Sequence, residues 1–145
     1  MNGTELSNIT IPEGITAINK YAFHGCASLT SVVIPYYITR IGERAFYSCS
    51  NLTSVVIEYG VTHIESSAFC LCSNLTSIVI PASVTNIGTD ILYKCSNLNS
   101  ITFESITPPQ VPVQSFTPGL FDNTTCPIYV PAESVEAYKT AYAWS

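Results

Sequence analysis

The chain of 145 residues fits one domain, and at 47% hydrophobic it carries ample core. Charged residues make up only 10%, the formal net charge is −5, and the five basic residues are scattered at Lys20, Arg40, Arg44, Lys94 and Lys139. Such a set forms no basic stripe for nucleic acid. No apolar run reaches the ~18 residues of a membrane-inserted helix, and the polar residues after Met1 do not open a signal peptide.

In chain order, the same elements recur. Leu6, Leu29, Leu52, Leu75 and Leu98 stand 23 positions apart, and a fixed period of about 20 to 50 residues marks a solenoid. With each leucine as column zero, column three reads Ile9, Val32, Val55, Ile78 and Ile101, and column five reads Ile11, Ile34, Ile57, Ile80 and Phe103. That alternation is one face of a strand. Column twelve, with Ile18, Ile41, Ile64 and Ile87, predicts a short extended stretch. Columns sixteen and seventeen then read Ala22-Phe23, Ala45-Phe46, Ala68-Phe69 and Ile91-Leu92, and a cysteine follows at Cys26, Cys49, Cys72 and Cys95. Spacings of three and four residues put these side chains on one face of a helical turn. No repeat buries its apolar face alone, so neighbours must stack, and connections this long make the sheet parallel.

The repeats span 6–28, 29–51, 52–74 and 75–97, with a partial fifth and a cap over 98–145, all in a single domain 1–145. The run Ile106-Thr107-Pro108-Pro109-Gln110-Val111-Pro112 predicts an extended connection. Ile128-Tyr129-Val130-Pro131 echoes the strand text, with Val130 lying 27 residues after Phe103, and predicts a sixth strand. Ala132 to Tyr142 suits a helix with Val135, Tyr138 and Tyr142 on one face, closing the open end of the core. At the other end, Met1 to Glu5 is short and polar. The first strand therefore presents an unpaired edge, with edge-to-edge self-association or further upstream repeats as the expectation.

The columns spell L-x-x-I-x-I-P-x-x-V-T-x-I-x-x-x-A-F-x-x-C-x-N over residues 6 to 97. This pattern resembles the BspA-like leucine-rich repeat family, and YVPAESVEAYKTAYAWS is similar to the terminal element of its Bacteroides-type members. Departures are Glu58 in place of proline, Ile91-Leu92 in place of Ala-Phe, and loss of the pattern after Phe103. The resemblance implies an α/β leucine-rich-repeat right-handed solenoid: a parallel concave sheet, short helical turns on the convex side, and a C-terminal capping strand and helix. It also implies a cell-surface or secreted bacterial protein that binds a host or matrix protein in adhesion. The alternative is a structural spacer holding another domain away from the cell.

Catalytic signatures are absent from the text: there is no glycine-rich phosphate loop, no G-x-S-x-G and no H-E-x-x-H. Neither an enzyme nor a cofactor is expected. His24 and His63 fall in non-core columns of different repeats and read as solvated. Glu58 and Glu104 share column six two repeats apart, roughly 10 Å at a strand spacing of about 4.8 Å, and read as edge carboxylates rather than as a glycosidase pair. The four cysteines of column twenty read as free core thiols, since free Cys packs as a small hydrophobe. No CxxC pair exists for a metal. A bond between Cys70 and Cys126 stays open. Asn51 and Asn74 fall in glycosylation sequons, yet they stand at the turn before a strand, where Asn suits the backbone.

What remains is a surface. Column four faces outward and reads Thr10, Val33, Val56, Val79 and Thr102, beside Ser31, Ser54 and Ser77 of column two. Tyr36, Tyr37, Glu58 and Tyr59 follow in the loops. A valine stripe flanked by hydroxyls and rimmed by tyrosines suits a protein partner, because tyrosine offers large contact area with a polar tip. Valine also favours strands for its own reasons, and serine lets coils stack closely. Both accounts fit the sequence. The candidate concave-face residues are Ser31, Val33, Tyr36, Tyr37, Ser54, Val56, Glu58, Tyr59, Ser77 and Val79.

Overall fold

The structure is a computed structural model and describes residues 7–112 and 126–141. Successive coils stack into three walls. The first wall holds β1 (Asn8–Ile9), β3 (Ser31–Ile34), β5 (Ser54–Ile57), β7 (Ser77–Ile80), β9 (Ser100–Phe103) and β10 (Ile128–Tyr129). The second holds β2 (Ala17–Ile18), β4 (Arg40–Ile41), β6 (His63–Ile64) and β8 (Asn86–Ile87). Pairing is parallel and one repeat in register, as in Ser31↔Ser54 through Ile34↔Ile57 and Arg40↔His63.

The second wall runs unbroken from β2 to β8, whereas the first is assigned as two ladders, β1-β3-β5 and β7-β9-β10. Proline explains one rung missing at that seam. Glu58 donates its N–H to the Ile34 carbonyl, and Glu104 does the same to Ile80; Pro81, in the same column, has no N–H to give Ile57. Pro35 has the same deficit toward Ile11, and there the Tyr37 hydroxyl donates to the Ile11 carbonyl at 2.6 Å instead.

The third wall departs from the expected helical turn. Tyr21, Arg44, Ser67 and Asp90 in column fifteen have φ of 54–60°, and in column nineteen Gly25 has φ 70° while Ser48, Leu71 and Lys94 have φ of 58–62°. Each left-handed residue reverses the winding, so i→i+3 turns such as Ala45 N–H to Gly42 O and Tyr47 N–H to Arg44 O cannot propagate into a helix. The freed N–H groups point to the next coil. Arg44 donates to Ser66 O, Phe46 to Ala68 O and Ser48 to Cys70 O. The spacing of Ala, Phe and Cys still turns all three inward.

The predicted core columns are buried from Leu29 onward, whereas in the first repeat Ile9, Phe23 and Cys26 are half-buried and Ala22 is exposed. Phe46 stacks between Phe23 and Phe69, with ring centroids 5.1 and 5.3 Å apart and interplanar angles of 14° and 5°. Side-chain ladders run along the edges: Thr30, Thr53 and Thr76 each donate a hydroxyl to the carbonyl one repeat back. Asn74 and Asn97 each donate an amide N–H to the preceding Asn oxygen at 3.3 and 3.2 Å. Asn51 and Asn74 are thus held by the stack itself.

At the C-terminal end, β10 pairs with β9 through Ile128↔Ile101 and Tyr129↔Thr102, at the offset the sequence echo predicts. The expected helix is a single 3-10 turn, Ala132–Ser134, leading into α1 (Val135–Thr140). Tyr138 is buried, its ring 5.9 Å from that of Phe103 and its hydroxyl donating to Ser105 O at 3.0 Å. That contact closes the core at this end. Tyr142 lies outside the described residues.

Candidate functional site

Alternation within the strand wall sends columns three and five inward and columns two and four outward. Val33, Val56 and Val79 are accordingly 48%, 48% and 45% exposed, while their neighbours in columns three and five are buried. Ser54 and Ser77 are exposed beside them, and Ser31 is half-buried with its hydroxyl donating to Asn8 Oδ1. The register carries column four onward from Val79 to Thr102 and then to Tyr129, which is 55% exposed. Tyr129 extends the stripe onto the cap. The echo of strand text in Ile128-Tyr129-Val130-Pro131 aligns it there, yet it stands outside the sequence candidates.

The tyrosines divide by column. Tyr36 and Tyr59 share column seven and are 68% and 73% exposed, forming the rim. Tyr37, one column on, turns inward, where its hydroxyl replaces the missing proline N–H, so it does not join the exposed rim. Burial first, then the negative charges of Glu13 and Glu58, push its phenol above the usual tyrosine value. Glu58 is half-buried, and its Oε2 accepts the Tyr36 N–H at 2.9 Å. The residue that replaces the family's proline therefore braces the loop that carries Tyr36.

Several charged and aromatic side chains elsewhere are engaged in pairs. On the second and third walls, Lys20 meets Glu43 at 2.7 Å and Arg40 meets Glu65 at 3.2 Å. Arg44 donates to the Tyr21 hydroxyl at 2.9 Å, and His24 stacks on Tyr47 at 5.1 Å. A concavity of about 640 Å³ over the second wall is lined by Glu43, His63, Glu65, Asn86 and Gln110. Its two carboxylates are the ones already paired with Lys20 and Arg40, and Glu65 also accepts the Glu43 N–H at 2.9 Å. No free acid/base pair faces it among the described residues, and no cluster of three potential metal ligands occurs among them.

All six cysteines are free thiols, including Cys70 and Cys126. In column twenty, Cys49, Cys72 and Cys95 each donate S–H to the phenylalanine carbonyl of the preceding repeat, at 3.1, 3.2 and 3.2 Å. Burial pushes Cys49 and Cys95 up from 9.0 to about 12 and moves Cys72 in the same direction. Since the folded-state values lie above the unfolded ones, the stability these thiols contribute is whole below about pH 9 and is lost as pH climbs toward about 12. Thermal scans are expected to give a flat melting temperature up to about pH 9 and a falling one above it. Intact mass without reductant should report six unmodified thiols. Rapid labelling of Cys72 in the native protein would contradict this burial.

A parallel solenoid built on a 23-residue leucine column is a leucine-rich-repeat protein, a class and fold that are generally non-enzymatic. This chain belongs to the BspA-type family: the family model described as "BspA type Leucine rich repeat region (6 copies)" matches residues 1–125. Among solved structures it is similar to a leucine rich cell surface protein of Faecalibacterium prausnitzii, at 28% identity and a TM-score of 0.76 over 95% of this chain and 34% of that one. A Treponema pallidum leucine-rich repeat protein matches at 24% identity and a TM-score of 0.55, covering 68% of this chain and 59% of that one. A Bacteroides ovatus leucine-rich repeat protein matches at 22% identity and a TM-score of 0.53, covering 86% and 42% respectively. These last two bear on the fold alone. The chain thus spans about a third of the Faecalibacterium protein, and no curated protein matches it. Among the described residues no helix is long and apolar enough to cross a membrane.

Proposed function

We propose that this chain is a non-catalytic protein-binding module of a bacterial cell-surface protein, and that its partner, a host or matrix protein, docks on the outward face of the strand wall. The supporting observation is the stripe of Val33, Val56 and Val79, nearly half-exposed and rimmed by Tyr36 and Tyr59. Column-four positions meet solvent, so packing alone does not demand three aligned valines there; the positions flanking them in the same column are Thr10 and Thr102. Tyrosine is among the side chains that most often dominate association energies, and Tyr36 and Tyr59 stand exposed beside the stripe. The cell-surface setting draws on the description of the Faecalibacterium relative.

Val56→Glu combined with Tyr59→Ala tests the reading. Both side chains are exposed, so the melting temperature should change little. Immobilised wild type should retain a mucosal or matrix protein that the double variant binds at least about tenfold more weakly, or about 1.4 kcal/mol. Equal affinity would remove this face from the account. Retention of nothing by either form would favour the spacer reading.

A further inference from the structure

Basic charge on this molecule is sorted by wall. Four of the five basic residues, Lys20, Arg40, Arg44 and Lys94, stand on the second and third walls or the bends between them, and the fifth, Lys139, is in α1. The loops at the carboxyl end of the first-wall strands carry Glu13, Glu58 and Glu104 and, among the described residues, no lysine or arginine. Glu13 and Glu104 are exposed. Carboxylates in the first, third and fifth repeats therefore border the valine stripe, two to three columns further along the chain, or about 7 to 10 Å away at about 3.3 Å per residue, with Pro35 and Pro81 between them.

The spacing along the stripe selects the partner's conformation. Neighbouring valines in column four sit one strand apart, about 4.8 Å. A strand laid across the wall would present same-face side chains every ~6.6 Å, and a polyproline helix one turn every ~9.3 Å. An α-helix presents an apolar side chain once per turn, about 5.4 Å, and is about 10 Å across. Only the helix comes close to one contact per valine over the run from Val33 to Thr102, and its width sets its flank over the carboxylates. The hydroxyl side chains of Ser54 and Ser77 on the opposite side leave room for it.

Resting on the strand-face reading above, we propose that the occupant of this face is a basic amphipathic helix of the partner, lying across the strands with its apolar stripe on Val33, Val56 and Val79 and its Lys/Arg flank toward Glu58 and Glu104. The acidic border disfavours anionic lipid headgroups and nucleic acid phosphates by the same electrostatics.

Three designed peptides of equal length probe this directly: a helix with one leucine per turn and a lysine flank, the same helix with a glutamate flank, and the lysine peptide broken by a central proline. The lysine helix should bind at least about tenfold more tightly than either other peptide and weaken as salt rises. Glu58→Gln with Glu104→Gln should remove most of the preference over the glutamate helix; the Glu58→Gln side chain keeps a carbonyl oxygen for the Tyr36 N–H, so the loop survives. Val56→Glu reports on the face itself. Equal binding of lysine and glutamate helices, equal binding of the proline-broken peptide, or no binding of the lysine helix each overturns the basic-helix proposal. If the glutamate or broken peptide binds and Val56→Glu abolishes that binding, the strand face stands without its basic helix. If binding is indifferent to Val56→Glu, the strand-face reading falls with it.

Discussion

Phe46→Ala lowers stability by about 3 to 5 kcal/mol, the range for deleting a fully buried ring. Phe46 has no exposed surface and touches an aromatic ring on each side, Phe23 at 5.1 Å and Phe69 at 5.3 Å. Its removal leaves a cavity across two repeat interfaces at once. Collapse is restricted there, because the backbone on either side is pinned by the rungs from Phe23 N–H to Ala45 O and from Phe46 N–H to Ala68 O. For a chain of this size the melting temperature should fall by roughly 10 °C. In a one-dimensional stack the loss is carried by nearest-neighbour interfaces, so amide exchange should accelerate first in β3 and β5, beside the cavity. Phe23→Ala is the internal control: Phe23 is half-buried and stacks on one ring only. It should cost clearly less, and equal costs for the two would mean that the aromatic column does not transmit stability along the solenoid.

The inward columns were legible because burial is a periodic demand. Ile34, Ile41, Phe46 and Leu52 recur at fixed intervals, and each interval maps to one inward position of the coil. The third wall was legible only in its inward face. Ala, Phe and Cys at spacings of three and four fit a helical turn, and the turn series actually built satisfies the same spacing. What distinguishes the two lies in columns fifteen and nineteen, where seven of the eight left-handed residues are not glycine. A left-handed Tyr, Arg or Lys costs about 1 to 2 kcal/mol locally, so residue identity argues against it. The compensation is non-local: each reversal aims N–H groups at carbonyls one repeat away. No window within a repeat contains that information.

The outward face followed the same division. Alternation alone placed Val33, Val56 and Val79 in solvent. The loop residues needed the structure, because Tyr36 and Tyr37 are adjacent and only one column is exposed. Tyr37 goes inward to cover a carbonyl that Pro35 leaves open, and Glu58 does double duty as loop brace and border charge. Each of these follows from a backbone group in a neighbouring coil, a fact about stacking that the local text does not carry.

Gly60→Ala couples stacking to the candidate site without touching an exposed side chain. Gly60 has φ +155°, and a Cβ there would lie 1.9 Å from the Tyr36 carbonyl oxygen, with the Tyr36 carbonyl carbon at 2.8 Å. Backbone must move, since no flexible side chain can give way. Its N–H also donates to Ser83 Oγ at 3.2 Å, so a shift of this loop disturbs the coil on the other side as well. The cost should reach the upper part of the 1 to 3 kcal/mol range usual for overpacking, at about 3 kcal/mol. Gly14 occupies the same column in the first repeat, with φ +94° and open space around the added methyl. Gly14→Ala should therefore cost only the left-handed strain, about 1 kcal/mol. Urea denaturation of both variants measures the difference, and equal values would show that coil-on-coil contact at Gly60 does not limit the stack. Tyr36 and Tyr59 flank the displaced backbone, so Gly60→Ala should also weaken partner binding while Gly14→Ala leaves it intact. Retained affinity in Gly60→Ala would mean that the tyrosine rim tolerates a shifted loop, and that the valine stripe alone sets the interface.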